Sequence, residues 1–111
     1  MGRGVRAHRL PEEVSFRLII RPEAEADLAE AFDWYEECRR GLGHEFLEAI
    51  RNVFTAVSAN PLHHSVIYRD VRRALPRRFP YKVLYFAQSG EVHVIGVIHA
   101  KRHPRAWQQR I

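Results

Sequence analysis

Cysteine occurs once in the 111 residues, at Cys38. A single thiol excludes an internal disulfide, and with it the small secreted scaffolds that cross-links hold together; a reducing, cytoplasmic setting is expected. No apolar run approaches the ~18–20 residues that span a bilayer, so no membrane partner is expected. Internal repeats and low-complexity tracts are absent. The opening stretch, MGRGVRAHRLPEEV, has arginines but no apolar segment, so it does not read as a secretory signal. Its glycines and arginines follow no period, which predicts a flexible leader over 1–14 ahead of a single domain over 15–111. Val14 is a candidate natural start, with residues 1–13 dispensable.

Acidic residues are scarce in the second half. Residues 65–111 hold ten Lys and Arg against only Asp70 and Glu91, whereas residues 15–64 hold five Arg against nine acids. The overall formal charge of +5 conceals that split. So strong an asymmetry points to an acidic or polyanionic partner for the second half.

Hydrophobic spacing supplies the elements. SFRLIIRP alternates and is β-branched, predicting a strand over about Phe16–Arg21. Pro22 then suits the first turn of a helix, with Glu23, Glu25 and Asp27 at its positive end and Arg39 and Arg40 at its negative end. Ala24, Leu28, Ala31, Phe32 and Tyr35 form one apolar stripe, and Gly41 suits the C′ position. A second helix is predicted over about His44–Ala59, with Phe46, Ile50, Val53, Phe54 and Val57 on one side and Asn60-Pro61 as its stop. The short turn between them makes the two helices an antiparallel hairpin. Three strands are predicted over about Ile67–Leu75, Tyr81–Gln88 and Glu91–Ala100, with QSGE as a tight hairpin turn. The tail HPRAWQQRI reads as a short helix or an extended segment. The expected fold class is therefore α+β, in the order β-α-α-β-β-β, with the helical hairpin on one face of a small, mainly antiparallel sheet.

Alternation separates the two faces of that sheet. Val92, Val94, Gly96, Ile98 and Ala100 are expected beneath the helices. Leu84, Phe86, Ile95 and Val97 are expected on the other face, among Lys82, His93, His99 and Lys101. No further helix is predicted to cover it, so an exposed apolar strip rimmed by cations is expected there, of the kind that marks a protein interface.

The stretches IIRPEAEADLAEAFDWYEE, RRFPYKVLYF and VIGVIHAKRHPRAW resemble the RelE/ParE superfamily of toxins from bacterial type II toxin–antitoxin modules. The resemblance runs from about Ser15 to Arg110 and includes a closing run of His99, Arg102, Pro104 and Trp107. It implies a small basic toxin, neutralised in a hetero-oligomer by a cognate antitoxin that alone contacts operator DNA. The antitoxin would cover Leu84, Phe86, Ile95 and Val97. The target implied by a ParE-like member is DNA gyrase, inhibited by binding; a RelE-like member would instead cut mRNA on the ribosome.

Metal-free RNA cleavage needs a base for the 2′-hydroxyl, cations for the phosphate and an acid for the leaving oxygen. Arg77, Lys82, His99, Lys101 and His103 are the candidates for those roles. The chain has no tyrosine after Tyr85, where such nucleases tend to place a C-terminal catalytic tyrosine or histidine, and HAKRHPRAW looks more like the ParE and plasmid-stabilisation branch. On that reading Arg72, Arg73, Arg77, Arg78, Lys82, Lys101, Arg102 and Arg105 bind a target and catalyse nothing. Seven histidines and one cysteine provide no closed set of zinc ligands, so neither metal nor cofactor is expected. Cys38, Trp34 and Trp107 are expected to pack.

Overall fold

The computed structural model describes residues 15–111; the expectations for the leader and for Val14 lie outside the described residues. Strand β1 (Arg17–Ile20) leads into α1 (Pro22–Cys38), followed by α2 (Leu42–Ala59) and a 3-10 turn at Pro61–His63. Strands β2 (Val66–Tyr68), β3 (Val71–Ala74), β4 (Tyr81–Gln88) and β5 (Glu91–His99) come next, and α3 (Arg105–Gln108) closes the chain. They form one five-stranded sheet in the order β1-β5-β4-β3-β2, with only the β1–β5 pair parallel. The expected α+β class and helical hairpin stand.

One predicted strand is two. Ile67–Leu75 breaks at Arg69-Asp70, where Arg69 turns through φ 54 and returns β3 antiparallel to β2. Asp70 is a turn former, but the left-handed position falls on Arg69, where neither glycine nor asparagine announces it.

The hairpin turn is tighter than its sequence implied. Helix α1 ends at Cys38, and Gly41 (φ 90) is the N-cap of α2 rather than the C′ residue of α1. Glu36 at the end of α1 accepts hydrogen bonds from the Gly41 and Gly43 amides, both at 2.9 Å. Those bonds satisfy amides that a helix start leaves unpaired, and they hold the Glu36 carboxyl below its usual range. Gly43 is where the helices touch: a Cβ there would lie 2.7 Å from Phe32 Cδ1 and 2.8 Å from Glu36 Cγ.

Beneath the hairpin, Phe46, Ile50, Val57, Val83, Tyr85, Val92 and Val94 are fully buried, and Tyr35, Phe46, Phe79 and Tyr81 pack as an aromatic group with centroids 5.0–6.1 Å apart. Cys38 and Trp34 are exposed instead, so neither is the packing residue expected.

A bulge in β5 reorders the two faces. Tyr81 to Leu84 pair with His99 to Gly96, but Tyr85 pairs with Val94, leaving Ile95 as the extra residue. An extra residue in one strand reverses its alternation. Val92 and Val94 face the helices as expected, but beyond the bulge Val97 faces them too, while Ile95 and Ile98 turn to the opposite side. The bulge also leaves backbone groups outside the ladder, because β1 stops at Ile20, opposite Val94. Arg110 donates to the Ile95 carbonyl at 2.9 Å, and Asp27 accepts from the Val97 amide at 3.0 Å. The two side chains join each other at 2.7 and 3.2 Å, a bidentate pair that ties α1 to the tail.

The second face is consequently not an open apolar strip. The tail forms α3 and lays Trp107, 3% exposed, over Val71, Leu84, Ile95 and Ile98, with Tyr68 edge-on at 5.6 Å. Leu84, Ile95 and Val97 are buried, Val97 on the helix side, and only Phe86 of the expected strip is half-buried. These three side chains offer no surface for an antitoxin; the tail already covers the apolar strip.

Candidate functional site

A wide concavity lies on the other side of the sheet, between α2 and the β3–β4 connection. It is a groove of about 910 Å³. Ala49, Val53 and Ala56 of α2 meet Ala74, Pro76 and Phe79 along its floor, while Glu45, Glu48, Arg77 and Arg78 carry charge along it. The connection is held from within, because Pro76 and Phe79 are buried and fix its two ends. Between those anchors Arg77 and Arg78 are pushed into solvent, and Leu75 beside them is 60% exposed.

Arg78 adopts φ 70, a left-handed conformation that strains a residue with a side chain. Its guanidinium lies 5.0 Å over the Phe79 ring and donates to Glu45 at 2.8 Å. Glu45 also accepts from Arg39 at 3.2 Å, and these two bonds, Arg78 first, hold its carboxyl below the usual range. Arg77 has no partner among the described residues.

At the far end of the groove stands His64, in a built polar cluster. Tyr85 is fully buried and donates its hydroxyl proton to the Pro61 carbonyl at 2.5 Å. That leaves its oxygen to accept from His64 Nδ1, 3.3 Å away, so the imidazole Nε2 is the unprotonated nitrogen. Burial first, then the His63 and Arg72 charges, push the His64 pKa down. Arg72 donates to the carbonyls of Leu62 (3.3 Å) and His64 (2.6 Å). It clamps the 3-10 turn and is only half exposed, so its role is structural and it is not the free target contact expected.

The other expected site residues are scattered. Arg73 and Lys82 are half-buried on the second face, opposite Leu84 and Ile98 respectively. His99 sits on the helix side, edge-on to Tyr81 at 5.2 Å, in a small cavity with Glu30, Trp34 and Arg102. Lys101, His103 and Arg105 are exposed on the approach to α3. There His99 and His103 each use Nδ1 to accept the amide two residues on, at 3.1 Å. Lys82 and His99 thus lie on opposite faces of the sheet, and Arg77 lies across the hairpin from His99. Arg77 and His99 line different cavities, and neither cavity is lined by Lys82.

The family model described as "ParE toxin of type II toxin-antitoxin system, parDE" matches residues 18–104. The chain belongs to the ParE toxin family. No curated protein matches the sequence. Among solved structures, a chain of the chromosomal ParDE TA system from P. aeruginosa superimposes with a TM-score of 0.71 at 14% identity. The match covers 79% of this chain and 99% of that one. At that identity the likeness is one of fold, and it places the same helical hairpin on the same kind of sheet.

Within this ParE-family chain the sequence reading missed three features. One was legible: Asp27 falls at i+3 from Ala24 and i−4 from Ala31, inside the apolar stripe, and a carboxylate there requires a cation. The other two, the groove and the cluster of Arg21, His93 and Phe86 on the second face, depend on loop packing and cross-strand register that no local pattern carries.

Proposed function

We propose that this ParE-family toxin acts by binding and inhibiting DNA gyrase in the cytoplasm when free of its antitoxin. We further infer that the antitoxin seats a segment in the groove between α2 and Leu75–Phe79 and reaches operator DNA on the toxin's behalf. The observation that carries the reading is the groove: an apolar floor, an exposed Arg77 without a partner among the described residues and an exposed Leu75 suit a protein segment. Separation of Lys82 from His99 across the sheet supports binding over cleavage, because a transphosphorylation needs its acid, base and cations within reach of one phosphate.

The basic residues left exposed, Arg77, Arg78, Lys101, Arg102 and Arg105, are the proposed target contacts. Arg73 and Lys82 contribute at most their half-exposed ends. Induction in bacteria with and without the neighbouring reading frame tests the reading, with primer extension on cellular mRNA run alongside. Growth arrest relieved by the second frame, with intact transcripts, is the expected result. Discrete cuts in translated mRNA would make the chain a ribosome-dependent nuclease instead.

A further inference from the structure

The part of the second face that Trp107 leaves uncovered carries a structured cluster. His93 on β5 and Phe86 on β4 are cross-strand neighbours, stacked with centroids 4.9 Å apart and planes 4° from parallel. Arg21, between β1 and α1, places its guanidinium 5.7 Å from the centre of the Phe86 ring. Its Nε donates to His93 Nδ1 at 3.2 Å, and His93 Nε2 donates to Glu91 at 3.0 Å. These bonds fix the imidazole tautomer with the proton on Nε2. They also restrain the guanidinium, since one of its five N–H groups is committed and its carbon lies over an aromatic ring.

No acceptor among the described residues meets the two terminal nitrogens of Arg21. The side chain is half-buried, so it has surrendered much of its freedom, yet the fork suited to bidentate bonding has no partner among the described residues. A fork ordered in advance binds an oxyanion without further ordering of its own side chain. We propose that Arg21 is a receptor for one carboxylate of a protein partner, held ready by His93 and Phe86.

A nucleic-acid strand fits the patch less well. A phosphate backbone calls for several unpaired cations in a row. Here the neighbouring Arg17 is already 3.6 Å from Glu91, which also accepts from His93, so no row of unpaired cations runs past the fork among the described residues. A single fork beside half-buried Ile19 and Phe86 matches an acidic side chain next to an apolar one.

We assign the patch to the target because the antitoxin segment is placed in the groove on the opposite face of the sheet, whose rim arginines Arg77 and Arg78 the antitoxin would mask from the target. That assignment rests on the function proposed above, so the test has two arms. In the first, the full ¹⁵N-labelled chain is titrated with sodium acetate, and separately with inorganic phosphate, against sodium chloride at constant ionic strength. A saturable shift of the Arg21 Nε–H resonance, lost in Arg21→Gln, is expected with acetate. No saturable response, an equal response at every arginine, or phosphate binding more than about tenfold tighter at equal charge would overturn the carboxylate receptor.

The second arm measures binding to the gyrase holoenzyme and, separately, to the antitoxin. Arg21→Gln should weaken gyrase binding at least about tenfold and leave antitoxin binding and melting temperature unchanged. Arg21→Lys, which keeps the charge but not the fork, should recover only part of it. His93→Phe preserves the stack and removes the acceptor; it should give a smaller loss together with faster exchange of the Arg21 Nε–H, marking His93 as a positioning residue. Wild-type affinity in Arg21→Gln, or a loss confined to the antitoxin, overturns the proposed partner. If the wild-type chain itself fails to bind gyrase, the functional reading fails, and the acetate arm still decides the receptor.

Discussion

Replacing Trp107 with alanine should cost this domain a large part of its stability. Trp107 is 3% exposed although it belongs to a helix of only four residues. A buried tryptophan removes on the order of 200 Å² from water, which at ~25 cal/mol per Å² is about 5 kcal/mol. An extended-chain reference overstates that figure, and measured Trp→Ala changes fall at about 3–5 kcal/mol. Trp107 is the buried residue of α3, so the truncation should uncover Val71, Leu84, Ile95 and Ile98 and leave the tail held by the Arg110–Asp27 pair. With total stability of about 5–15 kcal/mol for a small domain, such a loss brings the variant near its folding threshold. Urea unfolding followed by circular dichroism should show a midpoint lower by well over 1 M, given an m-value of about 1–2 kcal/mol/M. Trp107→Phe should retain more than half of the wild-type advantage. A Trp107→Ala loss below about 1 kcal/mol would refute the reasoning, because it would mean that α3 does not seal the second face.

Three other perturbations have defined outcomes. Gly43→Ala should destabilise by about 1–3 kcal/mol in thermal or chemical unfolding, since the added methyl would meet Phe32 and the Phe32 carbonyl within 2.8 Å. Asp27→Asn should cost about 2–3 kcal/mol, because it leaves Arg110 uncompensated at the bulge, and amide exchange at Val97 should accelerate. The His64 pKa is lowered in the fold, so the unfolded chain binds more protons between that depressed value and 6.5. Stability should therefore fall as pH drops through 6.5, and His64→Gln should flatten that part of the curve. The Glu36 and Glu45 contributions, both from lowered carboxyl pKa values, should be lost only below 4.5, so the two windows are separable in a pH series.

The parts of the fold that were legible are those with a local cause. The apolar stripe from Ala24 to Tyr35, the second from Phe46 to Val57, and the alternation of Tyr81, Val83 and Tyr85 each follow from one element meeting one core. What was not legible depends on contacts distant in sequence. A bulge at Ile95 reversed the facing of Val97, Ile98 and His99, and nothing in EVHVIGVIHA marks the extra residue except Gly96, where a Cβ would lie 3.0 Å from an Arg110 nitrogen. Leu84 and Ile95 do lie on the second face, as alternation predicts, but as core and not as an exposed strip. Trp107, from a tail whose pattern is ambiguous in the sequence, covers them. Among the candidate site residues, the exposure of Arg77 and Arg78 was legible from RRFP, flanked as it is by apolar anchors. The structural duty of Arg72 was not, since its acceptors are the carbonyls of Leu62 and His64 in a preceding turn.

Gyrase supercoiling in the presence of the purified chain tests the central claim most directly. The proposed mechanism predicts dose-dependent inhibition of supercoiling that stoichiometric antitoxin reverses. It also predicts that joint replacement of Arg77 and Arg78 by alanine weakens the inhibition without lowering the unfolding midpoint by more than about 1 kcal/mol equivalent, as expected for exposed side chains. Supercoiling that proceeds unchanged at a saturating amount of folded chain, while the same preparation arrests translation by cutting mRNA, would contradict it.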